Sequence, residues 1–525
     1  MNLLIEPLFR VTTRQGENNL SLPSLLVALG NDDIVSYRGL QRHQEDAFHI
    51  FLSYLSALVL ARDGTDIVQQ SEMFWREGLR QLAFRDNDCA WTLLVEDVLE
   101  PAFMQPPVLH SADSRKFTQC AQTPDELDVL QTAKNHDVKV ARSYRGEADC
   151  WVYALISLQT MSGFLGRGNY GIARMNGGFA SRPCIELVNN PSPGGRWQRA
   201  IRKLLTLRVT LLDGAWDYKN GGIALLWLQP WDGKTSLALS SLDPFFIEVS
   251  RQVRLVKKDG RLQALAKPTT TTRLHAKEQK GVVGDPWIPV NSGKKEESAL
   301  TVPVTGFTPD LLHRILFGEE MWSPEMLQPF PEEMSQDCVY YASVLVRGQG
   351  TTDGFHSVSI PITKSVMSPL FAPTNRSQLG EISRRGLADA KAMQNRVLKV
   401  ALFSLLEGGP ESVNFDKPEI TSWIDQAILR YHQAWSTRFF SWLWRIAETD
   451  KKTRRERELD WQWELQSYAD AAFQQAILCL PERRGRHYRA KVKARNLFKG
   501  CLNKHFKDLK EYRDEHYRAN HAQHS

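Results

Sequence analysis

WVYALISLQTM (residues 151–161) runs directly into SGFLGRGNYGIARMNGGFASRP (162–183). The first part is apolar almost throughout, which predicts a helix. The second part places Gly163, Gly166, Gly168, Gly171, Gly177 and Gly178 within sixteen residues, with Arg167, Asn169, Tyr170, Arg174 and Arg182 among or beside them. GRGNYG (166–171) matches G-x-G-x-x-G, but a dinucleotide fingerprint needs a strand before it and a helix after it. Here a helix comes first, so the match carries little weight. Two readings remain for the glycines. They are a plain loop, or they let the backbone approach a ligand closely. In the second case the arginines would pair with phosphates or read base edges, and Tyr170 or Asn169 would contact a groove.

Upstream, QEDAFHIFLSYLSALVLAR (44–62) reads as a helix with an apolar face, and PAFMQPP (101–107) as a loop, because its prolines exclude regular structure. Residues 111–149 are polar and irregular, ending in KNHDVKVARSYRGEAD (134–149), and a loop of that length inside a domain is functional or disordered. Downstream, LTLRVTLL, GIALLWLQ and IEVSRQVRLV between 205 and 256 are strand candidates, and 268–299 reads as a flexible or ligand-facing excursion. CVYYASVLVRGQGTTDGFHSVSIPI (338–362) predicts a hairpin, with Arg347, Gly348, Gln349, Gly350, Thr351 and Thr352 projecting at its tip. Such a tip is a simple turn or a wedge between base pairs.

From about residue 380 the period becomes 3.6. Four amphipathic helices are predicted. The first carries Leu387 to Leu405. The second has Trp423, Tyr431, Trp435 and Trp442, and the third Leu465, Tyr468 and Phe473. The fourth, after Pro481, has Tyr488, Val492, Leu497, Cys501, Phe506 and Leu509. The expected class is α+β: a large mixed α/β N-terminal domain over 1–375, then a C-terminal four-helix bundle over 376–525.

The chain has 525 residues and a net charge of +6. Residues 481–510 alone carry +9, so the rest is slightly acidic. Such concentration suggests a polyanionic partner, with Arg486, Arg489 and Lys493 as candidate phosphate contacts; the alternative is a solvated charged face. The seven cysteines, Cys89, Cys120, Cys150, Cys184, Cys338, Cys479 and Cys501, form no CxxC pair, which argues against zinc and fits a reducing cytoplasm. No signal peptide and no membrane-length apolar run is read, so a soluble cytoplasmic protein without membrane contact is expected. P-loop, HExxH and GxSxG signatures are absent. His136-Asp137 is a lone HD pair without the further ligands a nuclease would need, and Glu319-Glu320 and Glu332-Glu333 read as solvated loop acids.

In this order the pieces resemble the CasA family, the large subunit of the type I-E CRISPR Cascade surveillance complex. The resemblance rests on MNLLIEPLFRV (1–11), PAFMQ (101–105), the polar loop before an apolar helix, the glycine loop, the glutamine-bearing hairpin and the final helices. It implies a DNA- and RNA-binding subunit that is not an enzyme and has no cofactor or metal. That subunit reads the short PAM in target double-stranded DNA, helps open the duplex for guide-RNA pairing and recruits a helicase-nuclease. Its partners would be the other Cascade subunits, guide RNA, target DNA and that effector. By position, Gln349 resembles the family's wedge, flanked by Gly348 and Gly350. Gly166, Arg167, Gly168, Asn169 and Tyr170 resemble the PAM-touching loop. Lys257 or Lys258 resembles a minor-groove lysine, and Asn135, His136, Lys139 and Arg142 resemble the segment on the guide RNA's 5′ handle. The alternative is a metal-dependent nuclease or a nucleotide-binding enzyme using GRGNYG.

Overall fold

The computed structural model describes residues 1–525 apart from 86, 129–145, 179, 294, 319, 349–350, 407–417, 451, 481–486 and 523–525. The chain forms two compact units, Met1–Phe307 with Glu319–Pro361, and Thr308–Gly318 with Ile362–Ser525. The helical unit thus begins at Ile362, and it takes in a short segment from far upstream that a linear reading assigns to the first domain.

The first unit is built around two helices that the sequence marks clearly. Glu45–Asp63 is buried continuously from Asp46 to Leu60, and Ala148–Met161 from Trp151 to Thr160. A helix apolar nearly all round has no side to show to water, so it becomes core. Phe48 and Tyr153 meet edge to face between them at 4.8 Å. Phe9–Thr13 pairs with Gly16–Leu20 and Ile34–Tyr37 in a three-stranded sheet beside these helices. The PAFMQPP loop is buried as well. Gln105 is fully enclosed, donates to the Leu93 carbonyl at 2.9 Å and accepts from the Leu255 N–H at 2.6 Å.

Four expectations between 205 and 299 are corrected. LTLRVTLL is not a strand; it ends the helix Pro193–Leu212, which starts at a Ser192 cap accepting from the Gly195 N–H at 3.0 Å. Trp197, Ile201 and Leu204 follow the helical period and are buried, and that outweighs the β-branched residues. IEVSRQVRLV is interrupted: Leu242–Ile247 and Gln252–Lys258 are separate strands in separate sheets. GIALLWLQ yields only Ile223–Leu225 before a turn of 3₁₀-helix. The 268–299 segment is no loose excursion, since Leu274, Val283, Trp287 and Ile288 are buried and the Trp287 indole donates to Glu186 at 2.9 Å. The expected hairpin is present as Cys338–Gly348 and Thr351–Ile362, and its first strand pairs antiparallel with Cys184–Val188.

In the second unit four long helices pack together: Pro373–Leu405, Pro418–Ser436, Arg454–Leu478 and His487–His505. The first contains a π-helical stretch at Met393–Leu398. Pro309–Phe317, Lys364–Phe371, Phe439–Glu448 and Lys507–Ala522 are added around them. The expected second helix breaks after Ser436, so Trp442 lies on the separate helix Phe439–Glu448. The aromatic core explains the break. Trp442 and Trp461 stack at 4.9 Å, and Trp442 fills the space where a side chain at Gly386 would stand, so that a Cβ there would collide with the indole.

Candidate nucleic-acid interface

The helix Ala148–Met161 ends at Ser162 in extended backbone, and the chain folds back at once. Gly166 and Gly168 have φ of +112° and +91°, conformations that a side chain would strain. Between them, the Asn169 N–H reaches the Gly166 carbonyl at 3.0 Å and the Leu165 N–H the Asn169 carbonyl at 2.9 Å. This turn presents Arg167, which is exposed; Asn169 and Tyr170 are half-buried, and the Tyr170 ring lies 5.9 Å from Phe164. The turn is braced from outside. The Gly168 carbonyl accepts from the Thr269 N–H at 2.9 Å, and a Cβ on Gly168 would come within 2.7 Å of the Pro268 Cβ. Arg251, in the break between two strands, donates to the carbonyls of Gly163, at 2.8 Å, and Tyr170. Among the described residues no helix follows before Pro193, so the flanks of GRGNYG do not match a dinucleotide site.

The arginines of this segment divide. Arg174 and Arg182 are buried and are not available to phosphate. Arg174 lies 3.8 Å over the Phe246 ring and pairs with Glu248 and Asp285, each at 3.4 Å. Arg182 pairs with Asp285 at 2.7 Å and donates to the Thr160 carbonyl. Of the three, only Arg167 faces outward.

Lys257 and Lys258 are both exposed, at the tip of the hairpin Gln252–Lys258/Arg261–Lys267. Asp259 and Gly260, with φ of +51° and +75°, close it in the manner of a type I′ turn, and Lys258 faces Arg261. Pro268, which braces the glycine loop, lies at the opposite end of the second strand. Leu262, the partner of Lys257, is six residues from Pro268, about 20 Å of strand. The lysines and the glycine loop therefore occupy opposite ends of one hairpin.

The longer hairpin reaches the glycine segment at its root. Arg347 does not project from the tip: it is buried and pairs with Asp128 at 3.3 Å. Its backbone N–H points at the Ser181 hydroxyl, 3.4 Å away. The neighbouring Ala180 carbonyl lies against Gly163, so close that a Cβ there would be 2.6 Å from it. Burial, with the charge of Arg347 acting in the same sense, pulls the Arg251 guanidinium below its ordinary range. The base of the glycine loop and the root of the hairpin are thus neighbours. Gly348 closes the strand, while Gln349 and Gly350 lie outside the described residues, as do Asn135, His136, Lys139 and Arg142 with Asp137.

On His487–His505, Arg489 and Lys493 are exposed and Arg486 lies outside the described residues. The helix has no acidic residue. Its inward face is Ala494, Phe498 and Leu502, with Phe498 stacked on Phe473 at 5.5 Å. Tyr488 is 80% exposed and Val492 42%, so the start of the expected apolar face was set a fraction of a turn wrong, while Phe506 and Leu509 at its end are buried. Glu333 is likewise no solvated acid; it is buried in a two-pronged pair with Arg199 at 2.7 and 2.9 Å. Among the described residues no three His, Cys, Asp or Glu side chains gather as a metal cage would require, and no helix is long and apolar enough to cross a membrane.

No protein-family model matches the chain, and no curated protein matches it by sequence. Solved structures do. CasA from Thermus thermophilus superposes with a TM-score of 0.63 at 14% identity, covering 96% of this chain and 99% of the other. The chain has the CasA fold. Thermobifida fusca Cse1 gives 0.60 at 15% identity over 96% of this chain and 98% of that one, and a chain of a CRISPR RNA-guided surveillance complex gives 0.55 at 14% over 95% and 99%. The CasA likeness thus spans nearly the whole sequence at an identity too low for sequence comparison to register. Sequence reasoning missed Asp128, Ser181 and Arg251, which hold the glycine loop and the hairpin root. The one available signal was a pair of arginines, Arg251 and Arg254, inside a stretch that otherwise reads as strand.

Proposed function

We propose that this chain is the nucleic-acid-binding large subunit of a type I-E-like Cascade complex, with no chemistry of its own. It reads the PAM in target double-stranded DNA, helps open the duplex for guide-RNA pairing and recruits a helicase-nuclease. The observation that carries this reading is the meeting of the glycine loop with the root of the hairpin around Ser181 and Arg251. Gly166–Tyr170 would approach the groove, Arg167 would face a phosphate or base edge, and Gln349 with Gly348 and Gly350 would wedge at the same place. Lys257 or Lys258, about 20 Å along the supporting hairpin, would engage the duplex further on. Arg486, Arg489 and Lys493 would hold strand phosphates, and Asn135, His136, Lys139 and Arg142 the guide RNA's handle. The fold likeness to a chain of a surveillance complex supports the company of other Cascade subunits.

The test is binding of the assembled complex to duplexes with and without a PAM. Gln349→Ala and Gly168→Asp are each expected to lower PAM-dependent affinity about tenfold or more. Gly168→Asp adds a negative charge and a Cβ that collides with Pro268. Unchanged discrimination in both variants defeats the assignment.

A further inference from the structure

We infer that Asp128 is a positioning residue for PAM-dependent binding: through Arg347 it fixes the end of the strand that carries the hairpin tip. The inference rests on the functional reading above and deepens it.

The Asp128 side chain is fully buried, and both its oxygens are engaged. One oxygen accepts from the Ser157 hydroxyl at 3.0 Å and from Arg347 at 3.3 Å; the other accepts from His43 at 2.7 Å and from the Gln44 amide at 3.2 Å. A carboxylate has about four acceptor sites, and here four donors use them. Two donors immediately precede the core helix Glu45–Asp63, and Ser157 lies on the core helix Ala148–Met161. The carboxylate is therefore tied to two buried core helices of its unit. Its remaining partner, Arg347, lies two residues before Gln349.

Arg347 needs this partner. It is buried, one of its terminal nitrogens has no hydrogen-bond partner among the described residues, and burial pulls its guanidinium below the ordinary range while Asp128 works against that pull. A buried guanidinium deprived of its counter-ion is strongly disfavoured, so without Asp128 the Arg347 side chain would leave the interior and take the strand end with it. The Arg347 N–H contact to Ser181 would go too, and with it the link between hairpin root and glycine segment. Asp128 is also where the chain enters 129–145, the stretch proposed for the guide RNA.

The experiment uses the assembled, guide-loaded complex and reads the ratio of affinities for PAM-bearing and PAM-less duplex. Asp128→Asn, close in shape but uncharged, is expected to lower the ratio about tenfold while the subunit still assembles. Arg347→Lys keeps the charge and is expected to retain more of the ratio than Arg347→Met. Combined with Gln349→Ala, Asp128→Asn should add little, because both act through the same tip. Glu333→Gln, which breaks the buried Arg199 pair away from the tip, serves as the control and should lower stability without changing the ratio. Multiplying losses in the Asp128–Gln349 double variant, or an unchanged ratio in folded Asp128→Asn and Arg347→Met while Gln349→Ala lowers it, overturns the inference and leaves the functional reading standing. An unchanged ratio with Gln349→Ala and Gly168→Asp removes both.

Discussion

The two units use arginine in opposite ways. In the first, Arg174, Arg182, Arg199, Arg251, Arg254, Arg273 and Arg347 are buried. In the second, the buried polar side chains among the described residues are Ser383 and Ser404, and the interior is aromatic, with Trp423, Tyr431, Trp435, Trp442, Trp461 and Phe473. The reason is the backbone. A bundle helix satisfies its own N–H and C=O groups, so its core can be apolar. The first unit sends long irregular segments through its interior, and their carbonyls need donors. Arg254 donates to the carbonyls of Glu100, Val95 and Asp97, Arg273 to those of Leu226 and Gln229, and Arg199 to those of Met326 and Gln328. One guanidinium supplies five N–H donors in a fixed fork, so it can stand in for missing secondary structure. An arginine in the first unit is therefore a poor sign of nucleic-acid contact until its burial is known, whereas one on His487–His505 meets water.

The largest test of that contrast is Arg254→Met, which removes a buried guanidinium and the donor to the part-buried carbonyls of Glu100, Val95 and Asp97. It should cost about 4 kcal/mol or more in chemical denaturation of the full chain. Tolerance within about 1 kcal/mol would show that these arginines do not replace secondary structure.

A pH series sharpens the comparison, because Asp128 and Glu186 in the first unit and Asp389 in the second respond with opposite sign. Burial alone would raise Asp128 and Glu186, but His43 and Arg347 around the first, and Arg196 and His49 around the second, hold both below the ordinary carboxylate range. A depressed folded value means stability present above the unfolded value and lost as pH falls through the folded one. Melting temperatures should therefore drop below about pH 4, and Asp128→Asn should flatten the drop. Asp389 in the bundle is raised by burial, only partly offset by its bond from Gln462. It costs stability when ionised and is relieved by acid, so Asp389→Asn should raise the melting temperature at neutral pH, a gain that shrinks as pH falls.

The smallest expected effects are on the surface of the bundle. Arg489→Ala and Lys493→Ala should change stability by no more than about 0.5 kcal/mol. If each neutralises a phosphate, each should lower the salt slope of DNA binding by about one. A stability loss comparable to that of Arg254→Met would erase the distinction between the units.

Much of this was legible in advance, for identifiable reasons. Glu45–Asp63 and Ala148–Met161 declare themselves because a buried helix must be apolar all round. The Cys338–Ile362 hairpin does so because two alternating arms flank a glycine tip. Lys257 and Lys258 were named only through the family resemblance; their exposure before an Asp-Gly turn is what the fold adds. The Arg174, Arg182, Arg347 and Glu333 readings failed together, since charge in a loop looks the same in sequence whether it meets water or a buried partner.

The sequence by itself determined the α+β class, the change from mixed to helical pattern, the glycine-built turn and the basic last stretch, all of which depend on neighbours within a few residues. Tertiary structure alone decided which charges are buried, that Pro309–Phe317 belongs with the helical unit, and that Asp128, Ser181, Arg251 and Arg347 meet. Those facts depend on pairing groups tens to hundreds of residues apart, where each charge is enclosed only if its partner arrives, and no local pattern records that.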